Sequence, residues 1–165
     1  MTTNDDSTTI EVDQYFPHPP AKLWRALTIP ELMAQWLMPN DFRPVVGHRF
    51  TFRGRPVAQT GFSGQIACRV LECTPPQRLR ISWADAADPD RMATEVAWTL
   101  EPEGKGTRLF LEHSGFDPDD PTQQLARRFM NGGWRSHVLR RLAEVLRLLI
   151  DPSESGGRTE AFDRR

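Results

Sequence analysis

The chain has 165 residues, 38% apolar and 26% charged, with a formal net charge of −1. That length suits one domain with a core of ordinary size, and the even mixture of both charges excludes the basic footprint of a nucleic-acid binder and an acidic tail. No apolar run approaches the roughly 20 residues that span a bilayer, and the polar opening MTTNDDSTTI lacks the basic and apolar parts of a signal peptide, so a soluble, cytoplasmic protein without membrane insertion is expected.

In chain order, Ile10, Val12, Gln14 and Phe16 alternate with Glu11, Asp13 and Tyr15, the period of a strand. Proline cannot donate to a ladder, so PHPP ends it, and Pro20 suits the first turn of a helix carrying Leu23, Trp24 and Leu27. A second short helix opens at Pro30, with Leu32, Met33, Trp36 and Leu37 on its buried face, and stops at MPND. Strand patterns follow: Phe50 and Phe52; Ile66, Cys68 and Val70 within 62–73; Leu79, Ile81 and Trp83; and Met92, Thr94, Val96, Trp98 and Leu100. EPEGKG reads as a hairpin turn whose partner strand is RLFLEHSGF. There His113 takes the place on the buried face after Leu109 and Leu111.

After DPDDP the period becomes helical. From Thr122 to about Ile150, the residues Leu125, Phe129, Trp134, Val138, Leu142, Val145 and Leu149 share one face. Glycine costs about 1 kcal/mol against alanine inside a helix, so Asn131-Gly132-Gly133 marks a bend or a fresh start. The expected organisation is a disordered stretch 1–8, a single domain over 9–150 and a disordered tail 151–165, since DPSESGGRTEAFDRR is polar and lacks periodicity. One apolar sheet face needs one cover, and the long helix supplies it. The fold class is therefore α+β, a curved antiparallel sheet of about six strands around a C-terminal helix.

Four stretches, in this order, carry a resemblance: HPPAKLWRALTIPELMAQWLMP (18–39), LECTPPQRLRISW (71–83), LEPEGKGTRLFLEHSGF (100–116) and GGWRSHVLRRLAEVL (132–146). Together they are similar to the START-like superfamily of helix-grip proteins, in the branch of the activator of heat-shock protein 90 ATPase. The stretch from Arg53 to Ser63 is longer than that pattern, and the chaperone-binding domain of the eukaryotic activator has no counterpart, which counts against a co-chaperone role. The resemblance implies a cavity between sheet and long helix, used across the superfamily for lipids, sterols, polyketides or plant hormones.

By parity the strands would line that cavity with Gln14, Phe50, Phe52, Ile66, Cys68, Trp83, Thr94, Val96, Trp98, Leu111 and His113. The helix would add Phe129, Met130, Trp134 and Val138. Such an inventory, apolar with a few polar groups, suits a small-molecule pocket. His113 is either a polar group of the cavity or a structural histidine, satisfied by the protein or reaching solvent at the strand end beside Ser114 and Gly115. No inward carboxylate accompanies it, so no catalytic residue is assigned.

Cys68 and Cys73 are five apart, an odd separation that places them on opposite faces of a strand, so neither a disulfide nor a metal role is expected. His18, His48, His113 and His137 lack metal-ligand spacing, and no HExxH, P-loop, GxGxxG or GxSxG occurs. No cofactor is expected. The expected partner is an apolar or amphipathic small molecule bound by a monomer or homodimer. A protein-interaction module and a cavity enzyme acting on an acyl or polyketide-like substrate are the alternatives.

Overall fold

The computed structural model describes residues 6–150. Alternating apolar and polar side chains build β1 (Thr9–Phe16), β2 (Arg49–Arg53), β3 (Gln65–Thr74), β4 (Arg78–Asp85), β5 (Thr94–Glu103) and β6 (Gly106–Ser114). They form one antiparallel sheet in the order β1-β6-β5-β4-β3-β2, which puts the first two strands at opposite edges. Helices α1 (Pro20–Thr28) and α2 (Pro30–Trp36) carry the chain between those edges, each with proline in its first turn. The Trp36 indole donates to the Ala26 carbonyl at 2.9 Å and ties the two helices together. β5 begins at Thr94, so Met92 stays in the preceding loop.

The long helix is capped by Asp120, whose carboxylate accepts from the amides of Thr122 and Gln123 at 2.9 and 3.4 Å, a contact worth about 1 kcal/mol. It runs as α3 (Pro121–Gly133), a π turn (Trp134–Val138) and α4 (Leu139–Leu148). The irregularity expected at Asn131-Gly132-Gly133 therefore takes the form of a wide turn just beyond the glycines, where the Leu139 amide reaches back to the Trp134 carbonyl. This turn changes the buried face. Trp134, Leu142 and Val145 are buried as expected, but beyond the turn Leu139 replaces Val138 and Leu146 replaces Leu149; within α3, ahead of the turn, Ala126 is buried in place of Leu125 and Phe129.

A second correction concerns the cysteines. The β3–β4 register slips between Val70 and Glu72, and Cys73 pairs with the buried Leu79. The bulge restores Cys73 to the face of Cys68, against simple parity. Both thiols are free, and burial pushes the Cys68 thiol well above its ordinary range.

The expectations for the termini fall mostly elsewhere: residues 1–5 and the tail 151–165 lie outside the described residues, while 6–8 form a turn in which Asp6 accepts from the Thr8 amide.

The outer edge of β1 is managed by the helix. Arg127 donates through two nitrogens to the Thr9 carbonyl at 3.1 and 3.0 Å, and Arg135 donates to the Glu11 carbonyl at 2.8 Å. Occupied carbonyls cannot template a further strand. Replacing both arginines with alanine is expected to produce concentration-dependent self-association in sedimentation velocity. A variant that sediments as the wild type does at every concentration would show that the edge is protected by other means.

Candidate ligand-binding site

His113, the inward residue near the end of β6, lies between Ile10 on β1 and Val96 on β5 and is fully buried. Its two ring nitrogens are both engaged. The Trp134 indole N–H donates to Nδ1 at 3.2 Å, and the Thr94 hydroxyl lies 2.9 Å from Nε2. That hydroxyl spends its own proton on the Trp83 carbonyl at 2.7 Å. Thr94 must therefore accept from Nε2–H, which fixes a neutral imidazole with its proton on Nε2. Burial alone lowers its pKa to about 3. Rings surround it, with Phe116, Trp83 and Trp134 at centroid distances of 4.8, 5.4 and 6.2 Å. Trp134 reaches this position from the junction of α3 and the π turn.

The space between sheet and helix is filled at its centre by Trp36, Trp98, Trp134 and Phe52, all buried. An opening of about 260 Å³ remains at one end. Ile66 and Trp83 line it from the sheet, Ala126, Phe129 and Met130 from α3, Val57, Thr60 and Phe62 from the loop after β2, and Met38 from the segment after α2. Phe129 is 48% exposed at its rim. A narrower, mainly apolar recess adjoins it, with Asp85, Arg91 and Gln123 among its polar members. Burial opposes the charge of Asp85, but the Ser63 hydroxyl, the Ala87 and Ser63 amides and Arg91 outweigh it and hold the carboxyl below its usual range.

Among the residues expected at a cavity, Ile66, Trp83, Phe129 and Met130 meet at this cleft. Phe50, Phe52, Cys68, Val96, Trp98 and Leu111 are packed in the core behind it, and Val138 leans on that core half-buried. Thr94, His113 and Trp134 form the hydrogen-bonded chain beneath Trp83. Gln14 is half-buried on β1 opposite Leu109, away from the cleft. Parity missed Met38, Val57, Thr60, Phe62 and Ala126. The signal available for the loop residues was the presence of Val57 and Phe62, two large apolar side chains, inside a glycine-rich segment.

A six-stranded antiparallel sheet gripping a long C-terminal helix, with an opening beneath that helix, defines a START-like helix-grip protein. The family model for Activator of Hsp90 ATPase homolog 1-like protein matches residues 17–147, and the chain belongs to that family. It is similar to the crystal structure of protein MLL2253 from Mesorhizobium loti, with 38% identity and a TM-score of 0.72 over 86% of this chain and 99% of that one. CalU16 from Micromonospora echinospora is 27% identical, with a TM-score of 0.63 over 94% of this chain and 86% of its own. The Aha1 dimer from Colwellia psychrerythraea, 20% identical, shares the fold with a TM-score of 0.69 over 85% of this chain and 96% of its own. No curated protein matches the chain. Among the described residues no helix is long and apolar enough to cross a membrane, and no group of three His, Cys, Asp or Glu side chains is placed to hold a metal ion.

Proposed function

We propose that this protein binds a small, largely apolar molecule in the cleft between the sheet, the loop after β2 and α3, without transforming it. The observation that carries this reading is the lining: Met38, Val57, Phe62, Ile66, Trp83, Ala126, Phe129 and Met130 surround the opening, with Thr60 as the polar member. Its volume of about 260 Å³ sits just under the roughly 300–1,000 Å³ of drug-sized pockets, so a two-ring aromatic or a medium-length acyl chain fits better than a sterol. A general base must reach its substrate's proton. His113 lies behind Trp83 with both nitrogens committed to protein partners, which favours binding over catalysis.

Thermal unfolding against a panel of two-ring aromatics, flavonoids, acyl esters and sterols tests this. A ligand at about 100 times its Kd adds roughly 2.7 kcal/mol, which is on the order of 5–10 °C for a chain of this size. The shift is expected for the compact members and to weaken in Phe129→Ala, which removes an exposed wall of the cleft without touching the core. A flat response across the panel would sink the reading. It would turn attention to a protein partner at Val45 and Val46, which stand 59% and 62% exposed on the loop before β2.

A further inference from the structure

Residues 54–64, which overlap the stretch Arg53 to Ser63 singled out in the sequence, are built as a closed loop. Its neck is a hydrogen bond from the Gly54 amide to the Gly64 carbonyl at 2.7 Å, and inside it Val57 and Phe62 exchange backbone bonds at 3.0 and 3.1 Å. A compact loop with joined ends is an Ω-loop, a form used repeatedly at functional sites. Gly61 and Gly64 adopt φ values of +74° and +100°, a region that side-chain-bearing residues rarely enter. The underside of the loop presents Val57, Thr60 and Phe62 to the cleft, facing Phe129 and Met130 on α3.

Besides the packing of Phe62 against the core, a small set of polar bonds holds this loop down. Buried Asp85, at the end of β4, accepts from the Ser63 amide at 2.8 Å and the Ser63 hydroxyl at 2.5 Å, while also accepting from the Ala87 amide at 2.9 Å. Arg91 reaches the Thr60 carbonyl at 3.4 Å, near the tip. Arg91 is itself fixed to α3, because the Gln123 side chain donates to its carbonyl at 2.9 Å and accepts from the Asp117 amide at 2.7 Å. The loop, the β4–β5 connection and the start of α3 thus converge on one carboxylate and one amide side chain.

We propose that residues 54–64 form a lid over the cleft, hinged at the Gly54–Gly64 neck and latched by Asp85, and that its opening controls how an occupant enters and leaves. This rests on the binding function proposed above. The lid turns an open groove into a partly covered site, so its excursions set the exchange rate while the cleft walls set affinity. Segments held by a few side-chain bonds open more readily than the strands beneath them.

The test pairs two readouts on wild type, Asp85→Asn and the milder Ser63→Ala: amide hydrogen exchange at Gly54, Val57 and Phe62, and stopped-flow association of the neutral fluorophore N-phenyl-1-naphthylamine. In Asp85→Asn the lid amides are expected to exchange about tenfold faster, the effect of losing one hydrogen bond to a charged group, and the fluorophore to associate faster by a similar factor. Ser63→Ala should move both readouts the same way by less, while β5 and β6 amides stay unchanged in either variant. Unaltered lid exchange in both variants would overturn the latch. Faster lid exchange with an unchanged association rate would overturn the gate while leaving the binding site standing. No fluorophore binding by any of the three proteins would overturn the binding function itself, and the lid with it.

Discussion

Lowering the pH from 8 to 5 is expected to cost the wild-type protein about 2 kcal/mol of stability that a His113→Gln variant keeps. Folded His113 stays neutral down to about pH 3 because burial penalises its charged form, whereas the unfolded chain protonates the same imidazole near its ordinary value of 6.5. Below pH 6.5 the unfolded state therefore binds one more proton than the folded state, and acid favours unfolding. The loss grows to roughly 4 kcal/mol by pH 3 and then levels off as the folded ring takes up its proton. Carboxylates common to both proteins also titrate in acid, so the informative quantity is the difference between the two curves. Urea unfolding of both proteins at several pH values between 8 and 4.5 supplies it. Parallel curves would mean that the His113 ring is hydrated or charged in the fold.

The second large effect separates a hydrogen bond from the volume of the ring that makes it. Trp134 and Trp98 are both buried, and replacing either with phenylalanine removes the same atoms from the same aromatic cluster. Trp98 Nε1 has no hydrogen-bond partner, so Trp98→Phe loses packing while shedding an unsatisfied buried donor. Trp134 Nε1 donates to His113 Nδ1, so Trp134→Phe also strands a buried acceptor. That stranded group costs about 1–3 kcal/mol, and Trp134→Phe is expected to be less stable than Trp98→Phe by at least that amount. Chemical denaturation of the two variants measures the gap directly. Equal losses would show that the indole–imidazole bond contributes nothing net.

The sheet was legible in the sequence because each strand has one wet and one buried face, and strict alternation writes that asymmetry into the residue order. Counting from Leu111 put His113 in phase with the inner face, but its place at the strand end left open whether it reached solvent, and the fold buries it. What counting could not decide was whether that histidine was free, since the partners that settle it, Thr94 and Trp134, lie 19 and 21 residues away. Two features broke the periodic reading for local reasons. The bulge after Val70 has no glycine or proline to announce it, and it reversed the face of Cys73. The π turn shifted the helix by enough to exchange Val138 for Leu139 in the core. The cleft was the least legible part, because Met38, Val57, Thr60 and Phe62 come from connections without a period. Nothing in Ala126 itself separates a small residue beneath an opening from one in a tight contact.

The tryptophans form a chain through the interior. Trp83 stands 5.7 Å from Trp134, Trp134 stands 6.1 Å from Trp98, and Trp98 stands 6.3 Å from Trp36, centroid to centroid. Indoles this close share electronic excitation, so light absorbed at Trp36, at the end of α2, can be emitted or lost at Trp83. Trp83 is also the member of this chain that borders the cleft. A guest that quenches Trp83 would therefore dim the emission of the whole relay, making the protein's native fluorescence an optical gauge of its own occupancy with no label attached.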